Sequence, residues 1–363
     1  MLKKFPQAVV ALVLLSLFSI PLAAAELPVI RFAYAPSLNE TSFIIPVMLG
    51  DDYVRDGYSF HPLVPKEKYE LRKDGQALAI VDIVSGKGAS DMSMMMGQGH
   101  ADMSIFSLSG AIAAVDQGIK IKVVSPLVLA TGGLAVTDKV PAKNWAEFIA
   151  YIKDSKTPVK IGYHSPTSAP IVILRGAIAS EGLSSSEDPY DSQAKVLYVN
   201  LKGYSNLQPA MASKQIDAAV GPDPFPQITV ERGYGAYISE LRKMPPDGKW
   251  AMYPCCVISA SDAFIEKHED VVKAMVKFLN SSGDWCTENQ KEAGMIAGKM
   301  LGMQEDTSAL VMPTYLREFN ESWLEGAAGF LKSLDETGYI NGVLKGKEFK
   351  DVQPLILDTR FVQ

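Results

Sequence analysis

Short apolar runs alternate along the chain with stretches whose apolar positions recur every three or four residues. That alternation reads as strand, helix, strand. VIRFAYA (29–35) predicts a buried strand, PSLNETS (36–42) a loop, and FIIPVML (43–49) the apolar start of a helix. ALAIVDIV (77–84) predicts the second strand. SDMSMMMGQG follows as a helix with Ser90 or Asp91 as its cap and Gly97 or Gly99 as its end. ADMSIFS (101–107), GAIAAVDQG closed by Gly118, and IKVVSPLVL (121–129) continue as strand, helix and strand. VKIGYH (159–164), a helix from Ser168 ending in Gly182, AKVLYVNL (194–201), the short helix NLQPAMASKQ and the strand IDAAVG (216–221) then repeat the order. Beyond GKWAMYPCCVISAS the pattern turns helical, with Val271, Met275, Phe278 and Leu279 on one stripe and a second stripe ending at Gly338. Strands alternating with helices predict an α/β fold built on parallel sheets.

Two stretches of the first half return in the second. VIRFAYAPS (29–37) is echoed by VKIGYHSPT (159–167), and MMMGQGHADMSIFS by PAMASKQIDAAVGP, with Asp102 opposite Asp217. Paired echoes in the same order predict two related lobes. A ligand held between them would answer why both open with a strand, a Tyr, a Pro and a hydroxyl.

The first residues add an address. Lys3 and Lys4, an apolar run from Ala8 to Ile20, and the exit Ala23-Ala24-Ala25 have the order of a secretory signal peptide cleaved near Ala25. The run is shorter than the ~20 residues of a spanning helix. The mature chain is therefore expected in the periplasm, without a membrane span. Loss of both lysines moves the formal net charge from −6 to −8. An acidic chain with no Lys/Arg block predicts no nucleic-acid partner. Three cysteines, Cys255, Cys256 and Cys286, are an odd number, so at least one is unpaired within the chain. They leave three arrangements open: separate thiols, a vicinal 255–256 disulfide, or a bond to Cys286.

No GxSxG, HExxH or Walker loop occurs, and His61, His100, His164 and His268 are scattered. No enzyme activity, metal or cofactor is expected. Met94-Met95-Met96 reads as core filling.

The stretches GQGHADMSIFSLSGAIAAVDQGIKIKVVS and LKGYSNLQPAMASKQIDAAVGPDPF resemble the substrate-binding proteins of nitrate/sulfonate/taurine-type ABC importers, whose relatives include binders of thiamine-precursor pyrimidines. The tail ASDAFIEKHEDVVKAMVKFL is similar too. The resemblance implies a type II periplasmic-binding-protein fold, two α/β lobes joined by a two-strand hinge. Transferred to this chain, residues 27–132 plus 253–363 form lobe 1 and 133–252 form lobe 2, with crossings near 127–133 and at AMYPCCVIS. It implies a monomer that captures a sulfonate, nitrate-like anion or heteroaromatic compound and delivers it to the membrane permease of an ABC importer. The segment 51–76 has no counterpart to lend it a role. Two further readings stand beside this one. One is an enzyme like those of thiamine-pyrimidine synthesis on the same fold, and the other a receptor that reports its ligand.

Ligands of open α/β sheets bind beyond the carboxyl ends of strands. The loops there offer Asn39, Thr41 and Ser42, then Ser107 and Ser109, then His164, Ser165, Thr167 and Ser168, and finally Asp223 and Phe225; Cys255 lies on the return crossing. A serine before a helix is also an ordinary cap. Asp223 suits an amine or hydroxyl, or caps the helix after Pro224. On this reading Ser165→Ala combined with Thr167→Ala weakens ligand binding while leaving the fold intact, which calorimetry and circular dichroism would check.

Overall fold

The computed structural model describes residues 26–303 and 312–362. The expected signal peptide lies outside the described residues. In chain order the strands are β1 (Val29–Tyr34), β2 (Tyr58–Val64), β3 (Lys68–Lys73), β4 (Gln76–Ser85), β5 (Met103–Ser107), β6 (Ile121–Pro126), β7 (Gly133–Thr137), β8 (Val159–Tyr163), β9 (Ser185–Ser186), β10 (Val196–Asn200), β11 (Ala218–Gly221), β12 (Gly235–Glu240) and β13 (Cys256–Ser261). The helices are α1 (Thr41–Leu49), α2 (Ala89–Gly97), α3 (Leu108–Asp116), α4 (Trp145–Asp154), α5 (Ala169–Ser180), α6 (Leu207–Ala212), α7 (Phe225–Glu231), α8 (Asp262–Glu288), α9 (Gln290–Leu301), α10 (Glu321–Glu336) and α11 (Phe349–Ile356). Among the described residues no helix is long and apolar enough to cross a membrane.

Two sheets form. The first runs β2-β3-β4-β1-β5-β13-β6 and the second β12-β7-β11-β8-β10-β9. Their centres share one plan. β4-β1-β5 and β10-β8-β11 are parallel triplets, each followed by one antiparallel strand, β13 and β7 respectively. The strand closing each plan enters directly from a crossing between the lobes.

The sequence echoes mark equivalent places in these plans, and Asp102 and Asp217 make the same three hydrogen bonds. The Asp102 N–H donates to Arg31 O at 2.8 Å, its carbonyl accepts from the Ser261 N–H at 2.9 Å, and its carboxylate accepts from the Arg31 N–H at 2.9 Å. The Asp217 N–H donates to Lys160 O at 2.9 Å, its carbonyl accepts from the Thr137 N–H at 2.8 Å, and its carboxylate accepts from the Lys160 N–H at 2.8 Å. An aspartate at the head of the third strand thus ties the start of the first strand to the end of the antiparallel one. A backbone N–H left without a partner there would cost stability, which accounts for the residue type.

The segment 51–76 is a structural addition. β2 pairs with β3 and β3 with β4, widening the first sheet. The β3–β4 turn is Asp74-Gly75, both with positive φ (49° and 81°), as a two-residue hairpin turn of the I′ kind requires. The core of this lobe centres on Phe43, which stacks on Phe32 at 4.4 Å and meets Phe60 edge-on at 6.0 Å. Phe278 of α8 closes on Phe60 from the other side at 5.2 Å. Met275, Phe278 and Leu279 of the predicted stripe are fully buried, whereas Val271 is half-buried at its edge.

One expected cap is different. α2 begins after Gly88, not at Ser90 or Asp91, and the Asp91 carboxylate accepts from the Lys87 N–H at 2.9 Å. The glycine has φ 152°, and a Cβ there would sit 3.0 Å from the Ser165 Cβ of the other lobe. Close approach of the lobes, rather than cap chemistry, selects this residue.

Between β6 and β7, and again before β13, the chain crosses from one lobe to the other. The crossings pair side by side: the Ala130 N–H donates to Tyr253 O at 2.9 Å and the Cys255 N–H to Val128 O at 2.8 Å. A third segment, 314–316, pairs on the outer side of the first crossing, the Leu129 N–H donating to Thr314 O at 2.9 Å and the Leu316 N–H to Leu127 O at 2.7 Å.

Asp102→Ala is expected to lower folding stability by about 0.5–1.5 kcal/mol, because it strips a partly buried backbone N–H and the exposed Arg31 guanidinium of their acceptor. Urea denaturation checks this; an unchanged midpoint would deny the aspartate its structural role.

Candidate functional site

The carboxyl ends of β1, β5, β8 and β11 converge between the lobes on a small cavity of about 40 Å³. Lobe 1 contributes Ser37, Asn39 and Glu40 from the loop after β1, Met92 of α2, and Phe106 and Ser107 at the end of β5. Lobe 2 contributes His164, Ser168, Tyr204 and Pro222, and the return crossing adds Cys255 and Cys256. A larger open groove of about 760 Å³ lies at the opposite, amino ends of the lobe-1 strands, where the Asp102 carboxylate is already tied to Arg31. The chemistry is in the small cavity.

Glu40 is 3% exposed, and among the described residues no cation acts on it. Burial pushes its carboxyl up to about 8, against a smaller opposing pull from the Ser37 hydroxyl, which donates to it at 2.5 Å. The group is therefore a neutral acid at pH 7. His164 is buried and its Nδ1 has no partner; burial lowers its pKa to about 4, leaving a neutral imidazole. The hydroxyl of Tyr204, whose ring lies edge-on to His164 at 6.1 Å, is also buried without a partner. The Cys255 and Cys256 sulfurs stand 3.7 Å apart as free thiols, and Cys286 is free as well. The hydrogen bond with Cys255, then burial, hold the Cys256 thiol well above its ordinary range. Among the described residues no Arg or Lys lines this cavity.

The lobes touch around its rim. Ser165 Oγ accepts from the Ser90 N–H at 3.2 Å and lies 3.0 Å from Ser90 Oγ, which is 3.1 Å from Thr167 Oγ1. The Ser107 and Ser109 hydroxyls donate to the Thr167 carbonyl at 3.2 and 2.7 Å. Backbone bonds from Leu38 N–H to Asp223 O (3.1 Å) and from Tyr204 N–H to Lys87 O (3.1 Å) complete the seam.

Of the residues expected at the site, Asn39, Ser107, His164, Ser168 and Cys255 line the cavity. Ser109, Ser165 and Thr167 instead join the lobes, so the Ser165/Thr167 double substitution would act through closure rather than by direct contact. Four expectations need correction. α1 starts at Thr41, before the expected Phe43, and this turns Thr41 and Ser42 away from the cavity. Thr41 donates to Leu38 O at 2.6 Å, and the Ser42 hydroxyl is buried elsewhere without a partner. Phe225 faces the second lobe's own core beside Leu207 and Met211. Asp223 does not cap α7; its carboxylate accepts from the Gly132 N–H at 3.0 Å and Gln227 Nε2 at 2.8 Å, turned toward the hinge. Burial raises it to about 6.

Glu40 and Tyr204 went unrecognised in the sequence. Glu40 sits inside the same SLNETS loop, where its neighbours' amide and hydroxyls drew attention. Tyr204 follows β10, whose carboxyl end the strand-end rule covers equally well.

A model of the NMT1-like family matches residues 59–301. Among curated proteins, the 4-amino-5-hydroxymethyl-2-methylpyrimidine phosphate synthase of Schizosaccharomyces pombe is 24% identical over 209 residues, 56% of this chain and 55% of that one. The chain thus matches about half the length of that enzyme. Among solved structures, the ligand-binding component of an ABC-type import system from Staphylococcus aureus with zinc bound superposes with a TM-score of 0.67 at 14% identity, over 92% of this chain and 98% of that one. The alkanesulfonate-binding protein SsuA from Xanthomonas axonopodis pv. citri, bound to MOPS, gives 0.66 at 12%, over 92% and 99%.

Between pH 4.5 and about 8 the folded protein holds a proton on Glu40 that the unfolded chain has released, so this group's stabilisation fades as pH rises through 8. His164 acts in the opposite sense, but only below pH 6.5, where the unfolded chain takes up a proton that the folded one refuses until about pH 4. Above pH 6.5 the Glu40 contribution therefore stands clear of it. Wild-type stability is expected to fall from pH 6.5 to 8 by up to about 1.4 kcal/mol per pH unit, and Glu40→Gln to flatten that slope. Denaturation at both pH values is the check.

Proposed function

The chain belongs to the NMT1-like family and has the periplasmic-binding-protein fold, and from that premise we propose that it is an exported solute-binding protein delivering a small molecule to an ABC importer. The leader at 1–25 takes it to the periplasm, where it acts as a monomer with the membrane permease as its partner. Lobe 1 is 27–132 with 253–363, lobe 2 is 133–252, and the crossings between them are the hinge. A ligand bridging both lobes favours the closed form by the difference in its affinity for the two states.

The observation that carries this reading is the pair His164 Nδ1 and Tyr204 hydroxyl, buried without partners on the same cavity as a neutral Glu40. Buried polar groups are nearly always hydrogen-bonded. Two left open side by side are matched by a ligand that supplies a donor to the imidazole nitrogen and an acceptor or donor to the phenol.

The charge of the cavity narrows the ligand. A nitrate or sulfonate buried with no Arg or Lys, beside a carboxyl, would pay a desolvation cost without an opposing charge. An uncharged or protonatable heteroaromatic ring suits the chemistry of Glu40, His164 and Tyr204, and because the cavity of about 40 Å³ is too small for one, the lobes would stand further apart around it than they do here. A second reading is an enzyme of pyrimidine synthesis. It draws on the 209-residue similarity to the yeast synthase and on two thiols beside Glu40.

Thermal-shift and native mass-spectrometry measurements with 4-amino-5-hydroxymethyl-2-methylpyrimidine, nitrate and MOPS test this. The pyrimidine is expected to raise Tm and the two anions to leave it unchanged. His164→Ala and Tyr204→Phe should each weaken the pyrimidine complex by about three- to tenfold, while Ser42→Ala should not. Stabilisation by an anion alone would refute the ligand class, and turnover of the pyrimidine would move the protein to the enzyme reading.

A further inference from the structure

A second contact joins the lobes away from the cavity. The Glu187 carboxylate, on the lobe-2 loop after β9, accepts from the Tyr163 hydroxyl at 2.9 Å, from the Tyr339 hydroxyl at 2.9 Å, and from the Arg175 guanidinium. That guanidinium lies 5.5, 5.2 and 4.8 Å from the ring centres of Tyr163, Tyr198 and Tyr339. Tyr163, Arg175, Glu187 and Tyr198 are lobe-2 residues; Tyr339 alone comes from the other side, just past α10.

The Tyr339 segment is fixed to lobe 1. The buried Asp116 carboxylate, at the end of α3, accepts from the N–H groups of Asn341 (2.9 Å), Gly342 (2.8 Å) and Leu344 (2.8 Å). A Cβ at Gly342 would lie 2.1 Å from the Asp116 carbonyl oxygen, so the turn is pressed onto the helix end. The phenol is thus carried on a rigid arm of lobe 1 and received by a charged, aromatic socket of lobe 2. The socket also reaches the cavity, because Tyr163 directly precedes His164.

We propose that Tyr339 is a positioning residue for ligand capture: its clasp on Glu187 and Arg175 sets how much of the ligand-free protein is closed, and through that the affinity of a site it does not touch. The apparent affinity of a two-state binder scales with the fraction already in the competent form. The inference rests on the two-lobe closure described under Proposed function, but not on which ligand binds.

The cleft supplies its own reporter. Cys255 and Cys256 line the small cavity and are reached when the lobes part, while Cys286 is buried in α8 within lobe 1 and is reached only on unfolding. Labelling of the ligand-free full chain with iodoacetamide, read peptide by peptide by mass spectrometry, compares the two. In Tyr339→Phe and in Glu187→Gln, Cys255 and Cys256 are expected to react about two- to tenfold faster than in the wild type, with the Cys286 rate unchanged. Tyr190→Phe, at a tyrosine 90% exposed, should leave all three rates alone. Cleft thiols reacting at the wild-type rate in both clasp variants would overturn the proposal. So would equal acceleration at all three cysteines, which would make Tyr339 a general stabilising contact. Neither outcome depends on a ligand, so a failed ligand screen and a failed clasp remain distinguishable.

Discussion

The cleft depends on two chain crossings that lie side by side as a short antiparallel ribbon. Because Ala130 pairs with Tyr253 and Cys255 with Val128, the lobes leave the ribbon with the carboxyl ends of their parallel strands turned toward each other. Each crossing then feeds the antiparallel strand of the lobe it enters, β7 on one side and β13 on the other. The ribbon consequently links the two sheets, and among the described residues no strand of one sheet pairs with a strand of the other. The third segment, 314–316, braces one edge of the ribbon, and it leads through α10 to the arm that bears Tyr339.

Burial at the end of such a cleft decides the charge state of whatever lines it. With no basic side chain in the wall, desolvation keeps Glu40 protonated and His164 unprotonated, so a carboxylate and an imidazolium are both absent at neutral pH. On the function proposed above, the site recognises its ligand with neutral donors and acceptors. Geometry rather than net charge then sets selectivity, since a hydrogen-bonding site rejects a partner that leaves its polar groups unsatisfied.

Much of this architecture was legible in the chain because it follows from periodicity. The echoes around Tyr34 and Tyr163, and around Asp102 and Asp217, mark equivalent strands, and the aspartates make the same hydrogen bonds in both lobes. The strand-end rule led to Asn39, Ser107 and His164, which line the cavity. It failed where a helix began two residues early, at Thr41 and Ser42, since a shift of about half a turn decides which way a side chain points. It failed at Phe225 because a residue near a strand end can as readily face its own lobe's core. The hairpin within 51–76 carried a readable Asp74-Gly75 turn signal between alternating runs, which a comparison with shorter relatives hid. Glu40 was illegible for a different reason: a raised carboxyl pKa comes from surroundings assembled by both lobes and the hinge, and no local pattern records that.

The two interlobe contacts differ in kind, and the difference bears on how the protein moves. The seam at the rim is made of single hydroxyl and backbone hydrogen bonds among Ser90, Ser107, Ser109, Ser165 and Thr167, each worth little once water competes. The Tyr339 contact joins one phenol to a carboxylate and to a guanidinium that two further aromatic rings flank, and its lobe-1 anchor at Asp116 is fully buried. Charge-assisted bonds of this sort are stronger and more directional than the rim's. A weak rim beside the ligand and a stronger clasp away from it divide the work. On the function proposed above, the ligand completes a seam that is poor without it, and the clasp decides how readily the lobes meet to make that seam.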